Sequence, residues 1–430
     1  MIRLAAASRA IAQRWATRGL ASYPGHLPNT RSPLVPNLKF INSVTGDHEL
    51  IPTYRVLDGV GVPIEGAEIP EASLFLTDRC TFLLFRQIDE KFAQKILQMT
   101  SYGEEATIIG SAAALALDDE VLGQYREMGV LLWRGFGLDN VMAQCFGNAE
   151  DTSGKGRQMP MHFGSPEHHF YTISSPLSTQ IPQAAGVAYA VRRTPSRSSR
   201  SIAACYFGEG AASEGDFHAG LLLASTIPAP TLFIARNNGF AISTPTTEQY
   251  HGDGIAARGP GYGIDTVRVD GNDILAVLSA TREARRRCLE QGRAVLIEAM
   301  TYRVGHHSTS DDSFAYRARS EVEDRKFIDN PIVRFRLFME SQGWWNAEAE
   351  EELKGRLKAD VMKALKRAEA IPRCELGELF TDVYGGEEPW NIKEQREELT
   401  GLLRKYGEVY EPWRKELAKF KNNGQDLLKQ

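Results

Sequence analysis

The period of the apolar positions changes along the chain, and those changes divide it. From residue 71 to about 330, short apolar runs of strand length alternate with runs of helical spacing, the pattern of an α/β sheet. Beyond about 330 the sequence turns charged and helical. Leu353, Leu357, Val361 and Leu365 fall four apart within Ala347–Ala370, which predicts a helix stopped by Ile371 and Pro372. A last helix is predicted from about Ile392 to Tyr406. Residues 23–70 are rich in Pro and Gly with short apolar pieces such as Ile51–Leu57, and read as an extended arm wrapped over a partner or the body of the protein. No internal repeat or low-complexity tract appears.

The stretch from 200 to 240 gives the clearest unit. Ser201–Phe207 is an apolar run of buried-strand type, and Gly208-Glu209-Gly210 is too glycine-rich to continue it. Ser213 with Asp216 three residues on predicts a helix start of the capping-box kind before Phe217–Ser225. Pro228 and Pro230 end that helix, and Thr231–Ala235 is the next strand. Strand, helix, strand makes one parallel crossover unit. Glu209 and Asn238 then follow adjacent strand ends and arrive at the same carboxyl edge, where open α/β sheets bind ligands.

Composition narrows the class. With 42% apolar residues and a net charge of −5, the chain reads as globular, and its basic residues are interspersed with acidic ones, against nucleic-acid binding. No run of 18 uncharged apolar residues exists, so no membrane insertion is expected. The five cysteines are far apart and form no Cys-x-x-Cys pair, which points to a reducing compartment. Met1–Gly46 contains no Asp or Glu, while Arg3, Arg9, Arg14 and Arg18 recur among Ala, Ile, Leu and Trp15. That is the composition of a mitochondrial presequence, taken here as residues 1–22.

A carboxylate and an amide oxygen brought together from two strand ends suit Mg²⁺ holding a diphosphate, because magnesium takes hard oxygen ligands and shares them with phosphates and water. The glycines beside Glu209 let backbone N–H groups approach the phosphates. Gly252-Asp253-Gly254 repeats the first half of this pattern without an Asn-Asn pair beyond it. Gly259-Pro-Gly261-Tyr-Gly263 follows no strand, so a nicotinamide-dependent oxidoreductase is set aside.

Gly208-Glu209-Gly210 followed one crossover later by Asn237-Asn238 resembles the thiamine-diphosphate fingerprint, with Glu in place of the usual Asp. Tyr302-Arg-Val-Gly-His306-His307-Ser308-Thr-Ser-Asp311-Asp312-Ser313 resembles the regulatory loop of branched-chain 2-oxo acid dehydrogenase α subunits. Arg157–His162, Ile173–Gln180, Arg236–Gly239 and Tyr250–Gly263 agree with the same family. The double histidine separates it from the pyruvate dehydrogenase α subunits, and a noncatalytic relative would need to have lost a metal ligand that is present here. The resemblance implies a thiamine-diphosphate-binding α/β domain over 71–330, its parallel sheet flanked by helices, with the arm before it and a helical region over 331–430.

It also implies roles. Glu209, Asn238 and the carbonyl of Phe240 would ligate Mg²⁺. Gln124, Tyr125, Arg126, Ser175, Leu177, Gly210, Ala211, Arg236 and His307 would touch the cofactor. Ser174, Pro176, Thr179 and Gln180 match a K⁺ site. His307 would be catalytic, its neutral-range pKa suiting proton donation, and His306 structural. Ser308 would be the phosphorylated serine, answering to a regulatory kinase and phosphatase, whereas Ala318 replaces the family's second site. The carboxylate that activates the aminopyrimidine is not identifiable and in this family comes from a β subunit. The implied assembly is an α2β2 heterotetramer in the mitochondrial matrix that serves a lipoyl-bearing acyltransferase core. One stretch departs from the family: Phe85–Gln98 lacks a glycine to turn, and Leu84, Ile88, Phe92 and Ile96 fall four apart, predicting a continued helix where relatives have a strand. The abrupt return of the match at Met99 favours a misplaced exon boundary over a rebuilt domain entry.

Overall fold

The computed structural model describes residues 50–72, 101–197, 200–327 and 330–420. The presequence and the Phe85–Gln98 departure lie outside these residues. Nine strands are present among them: β1 (Thr53–Tyr54), β2 (Glu120–Leu122), β3 (Phe170–Tyr171), β4 (Ala203–Gly208), β5 (Thr231–Asn237), β6 (Phe240–Ala241), β7 (Thr244–Pro245), β8 (Asp265–Asp270) and β9 (Val295–Met300). Seven form one sheet in the order β1-β8-β9-β5-β4-β2-β3. Every pairing in it is parallel. β6 and β7 make a separate antiparallel ribbon.

The central strands show why the 200–240 pattern reads as apolar throughout. A parallel strand inside such a sheet is covered by helices on both faces, so both sets of side chains must be apolar. Along β4, Ala204 and Tyr206 enter one buried cluster, while Ala203, Cys205 and Phe207 enter the other. β5 repeats this with Leu232 and Ile234 against Phe233 and Ala235. The second cluster is closed by Phe217, whose ring meets Phe207 edge-on at 5.6 Å. Burying each such ring is worth about 1.5–3 kcal/mol.

The helix Gly215–Thr226 turns Phe217, Leu221 and Ala224 toward the sheet. Its start differs from the expectation. Glu214 is the residue before the helix, and Ser213 caps nothing, because its hydroxyl is bonded to Glu209 O and Gln249 Oε1 in a preceding turn. Gly220 lets the neighbouring helix Gln180–Arg193 pack closely, since a Cβ there would lie 2.7 Å from Ile181 Cγ2. On the opposite face, the helix Ile274–Gln291 begins at Asp273. One oxygen of Asp273 accepts from Leu275 N and Ala276 N, and the other from Val56 N and Leu57 N. The buried arm residues Val56 and Leu57 are thus fastened to a helix more than 200 residues away.

The helix Ala347–Ala370 has the predicted ends, with Asn346 accepting from Ala349 N at its start and Ile371 at its end. Its buried apolar residues are Leu353, Leu357, Val361, Ala364 and Ala368. A four-residue spacing outruns the 3.6-residue turn, so Leu365 drifts to the rim and Ala364 replaces it. Phe335 and Phe338 of the helix Pro331–Ser341 belong to the same buried cluster as Ile108 and Ile234. The predicted terminal helix is Trp390–Lys405.

Candidate functional site

Four neighbouring strands in the sheet, β9-β5-β4-β2, each release a loop at their carboxyl ends. Gln124–Arg126 follow β2, Glu209–Ala211 follow β4, Asn238–Ala241 follow β5, and the segment containing His307 follows β9. The register aligns Gly208 with Arg236, and Asn237 with Met300, so the loops emerge level with one another. They enclose a cavity of about 440 Å³ lined by Gln124, Tyr125, Arg126, Gly208, Glu209, Gly210, Ala211, Arg236, Asn238, Phe240, Arg303 and His307, with Leu177 at its edge.

Glu209 and Asn238 are 2% and 5% exposed. Asn238 N donates to Glu209 Oε2 at 3.2 Å. Burial pushes the Glu209 carboxyl up to about 7, with backbone N–H groups opposing it weakly. Among the described residues, no Lys or Arg lies at ion-pair distance from it. Gly239 makes the turn after Asn238 with φ +87, a conformation open to glycine. The turn brings Phe240 N to Asn238 Oδ1 at 3.2 Å. The Phe240 ring packs on Tyr316 and beneath Arg317, so its contacts are with the loop after β9 and need no tyrosine hydroxyl.

The cationic wall is ordered by carboxylates behind it. Arg236 is buried, with Nε and Nη2 on Glu127 Oε1 at 3.1 and 2.8 Å and Nη1 on Glu104 Oε2 at 3.1 Å. Gln124 Oε1 receives Gly208 N at 3.0 Å, and Gln124 N donates to Glu127 Oε2 at 2.6 Å, which joins the β2 loop to the β4 loop. Arg126 Nη2 lies 2.9 Å from His307 O and 3.2 Å from His307 Nδ1, and Arg303 Nη1 is 3.3 Å from the same nitrogen. A guanidinium only donates, so Nδ1 accepts and the ring proton sits on Nε2. Burial, then Arg126 and Arg303, lower the His307 pKa to about 3. The neutral-range value expected from the sequence is therefore corrected: His307 is a neutral imidazole with one N–H to give.

The loop around His307 closes on itself. His307 N donates to Asp311 Oδ2 at 2.7 Å, Tyr316 OH donates to the same oxygen at 2.7 Å, and Arg303 Nη2 donates to Tyr316 OH at 2.8 Å. Arg303 Nη2 also holds the carbonyl of Ile242 at 2.9 Å. Ile242 has φ +55, which costs a β-branched residue about 1–3 kcal/mol. His306 Nδ1 accepts from Ser313 N at 3.0 Å and takes no part in the cavity. Ser308 Oγ lies 3.2 Å from Ser310 Oγ at the loop's outer side.

The residues matched to a K⁺ site stand beside this cavity. Thr179 Oγ1 is 3.3 Å from the Pro176 carbonyl. Gln180 Nε2 donates to Tyr206 O at 3.0 Å, leaving its amide oxygen as the atom available to a cation. Ser178, at φ +68, bonds its hydroxyl to Ala211 O and so ties this turn to the β4 loop. Ser174 is exposed and makes no hydrogen bond among the described residues. Ser175 does not line the cavity; its Oγ is 2.7 Å from His162 Nε2. The sequence reading missed Glu104, Glu127 and Arg303. The sequence carried no signal for the two acids, since Glu104 and Glu127 lie 132 and 109 residues from Arg236 and only the fold brings them together.

The donor set fits a metal-bound diphosphate. Among the described residues no group of three or more His, Cys, Asp and Glu could hold a metal alone. One carboxylate and one amide oxygen leave coordination places for phosphate oxygens, and Arg126 and Arg303 offer positive charge on the facing wall. No helix among the described residues is long and apolar enough to cross a membrane. Residues 82–376 match the family described as Dehydrogenase E1 component. The chain is 51% identical over 393 residues to the mitochondrial 2-oxoisovalerate dehydrogenase subunit alpha of Homo sapiens, covering 89% of this chain and 86% of that one. The Caenorhabditis elegans protein of that name is 48% identical over 403 residues, at 91% and 90% coverage. Subunit alpha 1 of Arabidopsis thaliana is 47% identical over 375 residues, at 84% and 77%. This chain belongs to the dehydrogenase E1 component family, in its 2-oxoisovalerate dehydrogenase alpha branch.

Proposed function

We propose that this chain is the α subunit of a mitochondrial branched-chain 2-oxo acid dehydrogenase. The observation that carries the reading is the convergence of Glu209, Asn238 and His307 on one cavity in a chain 51% identical to such a subunit over 89% of its length. The reaction is oxidative decarboxylation of a branched-chain 2-oxo acid, with the acyl group passed to a lipoyl arm of an acyltransferase core in the matrix. Bound thiamine diphosphate supplies the nucleophilic carbon and the electron sink for loss of CO₂.

This chain's residues do the holding and polarising. Glu209, Asn238 and the Phe240 carbonyl hold Mg²⁺, while Gly210, Ala211, Gln124 and Arg126 meet the diphosphate. Arg236 is held by Glu127 and Glu104, so it acts as fixed positive charge at the base of the site. Tyr125 and Leu177 bound the remainder, with Ser175 held outside the wall by His162, and Ser174, Pro176, Thr179 and Gln180 take K⁺, which stiffens the turn joined to Ala211. His307, neutral with its proton on Nε2, donates a hydrogen bond to the substrate side. A β subunit completes the site in an α2β2 heterotetramer. A kinase acting on Ser308 would add roughly −1.5 to −2 charge one residue from His307, opening the Asp311–Tyr316–Arg303 ring, and a phosphatase would restore it.

The test is co-expression with a β subunit, followed by CO₂ release from 2-oxo acids of graded branching, with and without thiamine diphosphate and Mg²⁺. The expected result is cofactor-dependent turnover favouring branched acids over pyruvate. Pyruvate preference would move the chain to the pyruvate enzymes, and turnover without cofactor would end the reading.

A further inference from the structure

Behind the cavity stands a carboxylate that does more than hold Arg236. Glu104 is fully buried and forms no part of the cavity wall. It immediately precedes the helix Glu105–Ala112, where an acidic side chain ordinarily caps the free N–H groups, yet its side chain makes no capping bond. Glu104 Oε1 instead accepts Asn238 Nδ2 at 2.6 Å, and Oε2 accepts Arg236 Nη1 at 3.1 Å.

That pairing settles the orientation of the Asn238 amide. A carboxylate only accepts, so the amide meets it through its NH₂ group. A flipped amide would press two acceptors together. The amide oxygen is thereby turned to the other side, where Phe240 N reaches it at 3.2 Å. The backbone carrying Glu104 is clamped in turn. Gly103 has φ +97, and a Cβ there would lie 2.2 Å from Tyr302 O, so glycine alone allows the approach. Tyr102 O accepts Val304 N, and Gly103 O accepts Thr301 Oγ1.

We infer that Glu104 is a positioning residue for the metal, presenting the oxygen of Asn238 to a divalent cation. This rests on the metal–diphosphate reading above. It acts through Asn238 and touches neither metal nor phosphate itself.

The experiment is a Mn²⁺ titration followed by electron paramagnetic resonance, on the α chain assembled with its β subunit at saturating thiamine diphosphate. Ligand-orienting partners typically change metal affinity about 10–100-fold, so Glu104→Ala should weaken Mn²⁺ by at least about tenfold, whereas Glu104→Gln, which still offers an oxygen to Asn238, should stay within about threefold. Parental affinity in Glu104→Ala overturns the inference. So does equal loss in both variants, which would assign the effect to charge. Should Glu104→Ala not assemble, the reversed pair decides. Asn238→Asp sets two carboxylates face to face, and adding Glu104→Gln restores a donor opposite an acceptor. The double variant should bind Mn²⁺ more tightly than Asn238→Asp alone, and equal affinity overturns the inference. If the parent assembly binds no Mn²⁺ with the cofactor, the functional reading fails and takes this inference with it.

Discussion

Asp119 and Glu209 are both buried carboxylates at the ends of strands in one sheet, and they are treated oppositely. Asp119 stands at the amino edge and is saturated: Oδ1 accepts from Ile202 N and Arg285 Nη2, and Oδ2 from Ala116 N and Arg285 Nε. Glu298 is handled likewise, by Ile255 N, Ala256 N, Asn237 Nδ2 and Arg268 Nε. Glu209 at the carboxyl edge meets only backbone N–H groups, and its pKa rises to about 7. A saturated acid is architecture, because its charge is already spent. An acid kept dry with backbone partners alone is a candidate ligand for a cation.

Breaking the saturated partner should have the largest effect. Asp119→Ala strands the Arg285 guanidinium and two backbone donors, and should lower stability by about 3–5 kcal/mol in urea unfolding, with cofactor affinity retained. A loss below about 1 kcal/mol would erase the contrast. Glu209→Ala should do the reverse, weakening thiamine diphosphate binding about 100-fold or more, about 3 kcal/mol, without lowering metal-free stability at neutral pH. Calorimetric titration showing parental affinity would remove Glu209 from the metal.

A pH series sharpens the difference. The folded-state pKa of Glu209 lies above its unfolded value near 4.5. Its contribution is therefore fully present below that unfolded value and is lost as pH rises through about 7, on the order of 3 kcal/mol in all. Without metal, Glu209→Gln should flatten the stability profile between these limits, and an unchanged slope would contradict the assignment. His307 provides a smaller effect of opposite cause. Removing one flanking guanidinium in Arg126→Gln should raise the His307 pKa by about 1–2 units, read by NMR titration of labelled histidine. At the bottom of the scale, Arg286→Ala breaks an exposed ladder with Glu283 and Glu290 and should leave the unfolding midpoint where it was.

The β4–helix–β5 unit was legible in the sequence because both strands are apolar on both faces and glycine and proline mark their ends. Its two loops were therefore legible too, and with them Glu209 and Asn238. The loops after β2 and β9 came from family resemblance. β2 has three residues and β3 two, too short for a period to show. What neither route gave was the set of carboxylates behind the arginines. Glu104 and Glu127 look like ordinary surface acids in sequence, and only the sheet order brings them under Arg236. The Ser213 cap failed for a similar reason: a hydroxyl has several partners within reach, and the loop fold chose Glu209 O over the helix.

The edge strand β1 carries a timing consequence. Its partner β8 lies 215 residues downstream, with Thr53 beside Arg268. A chain imported into the matrix amino end first delivers β1 well before that partner arrives. During this interval Val56 and Leu57 have no Asp273 to receive their N–H groups, and their side chains have no core to enter. The segment must wait unpaired through most of the entry of the sheet it will border, which makes it the natural last piece of the fold and the first exposed to holding factors or proteases.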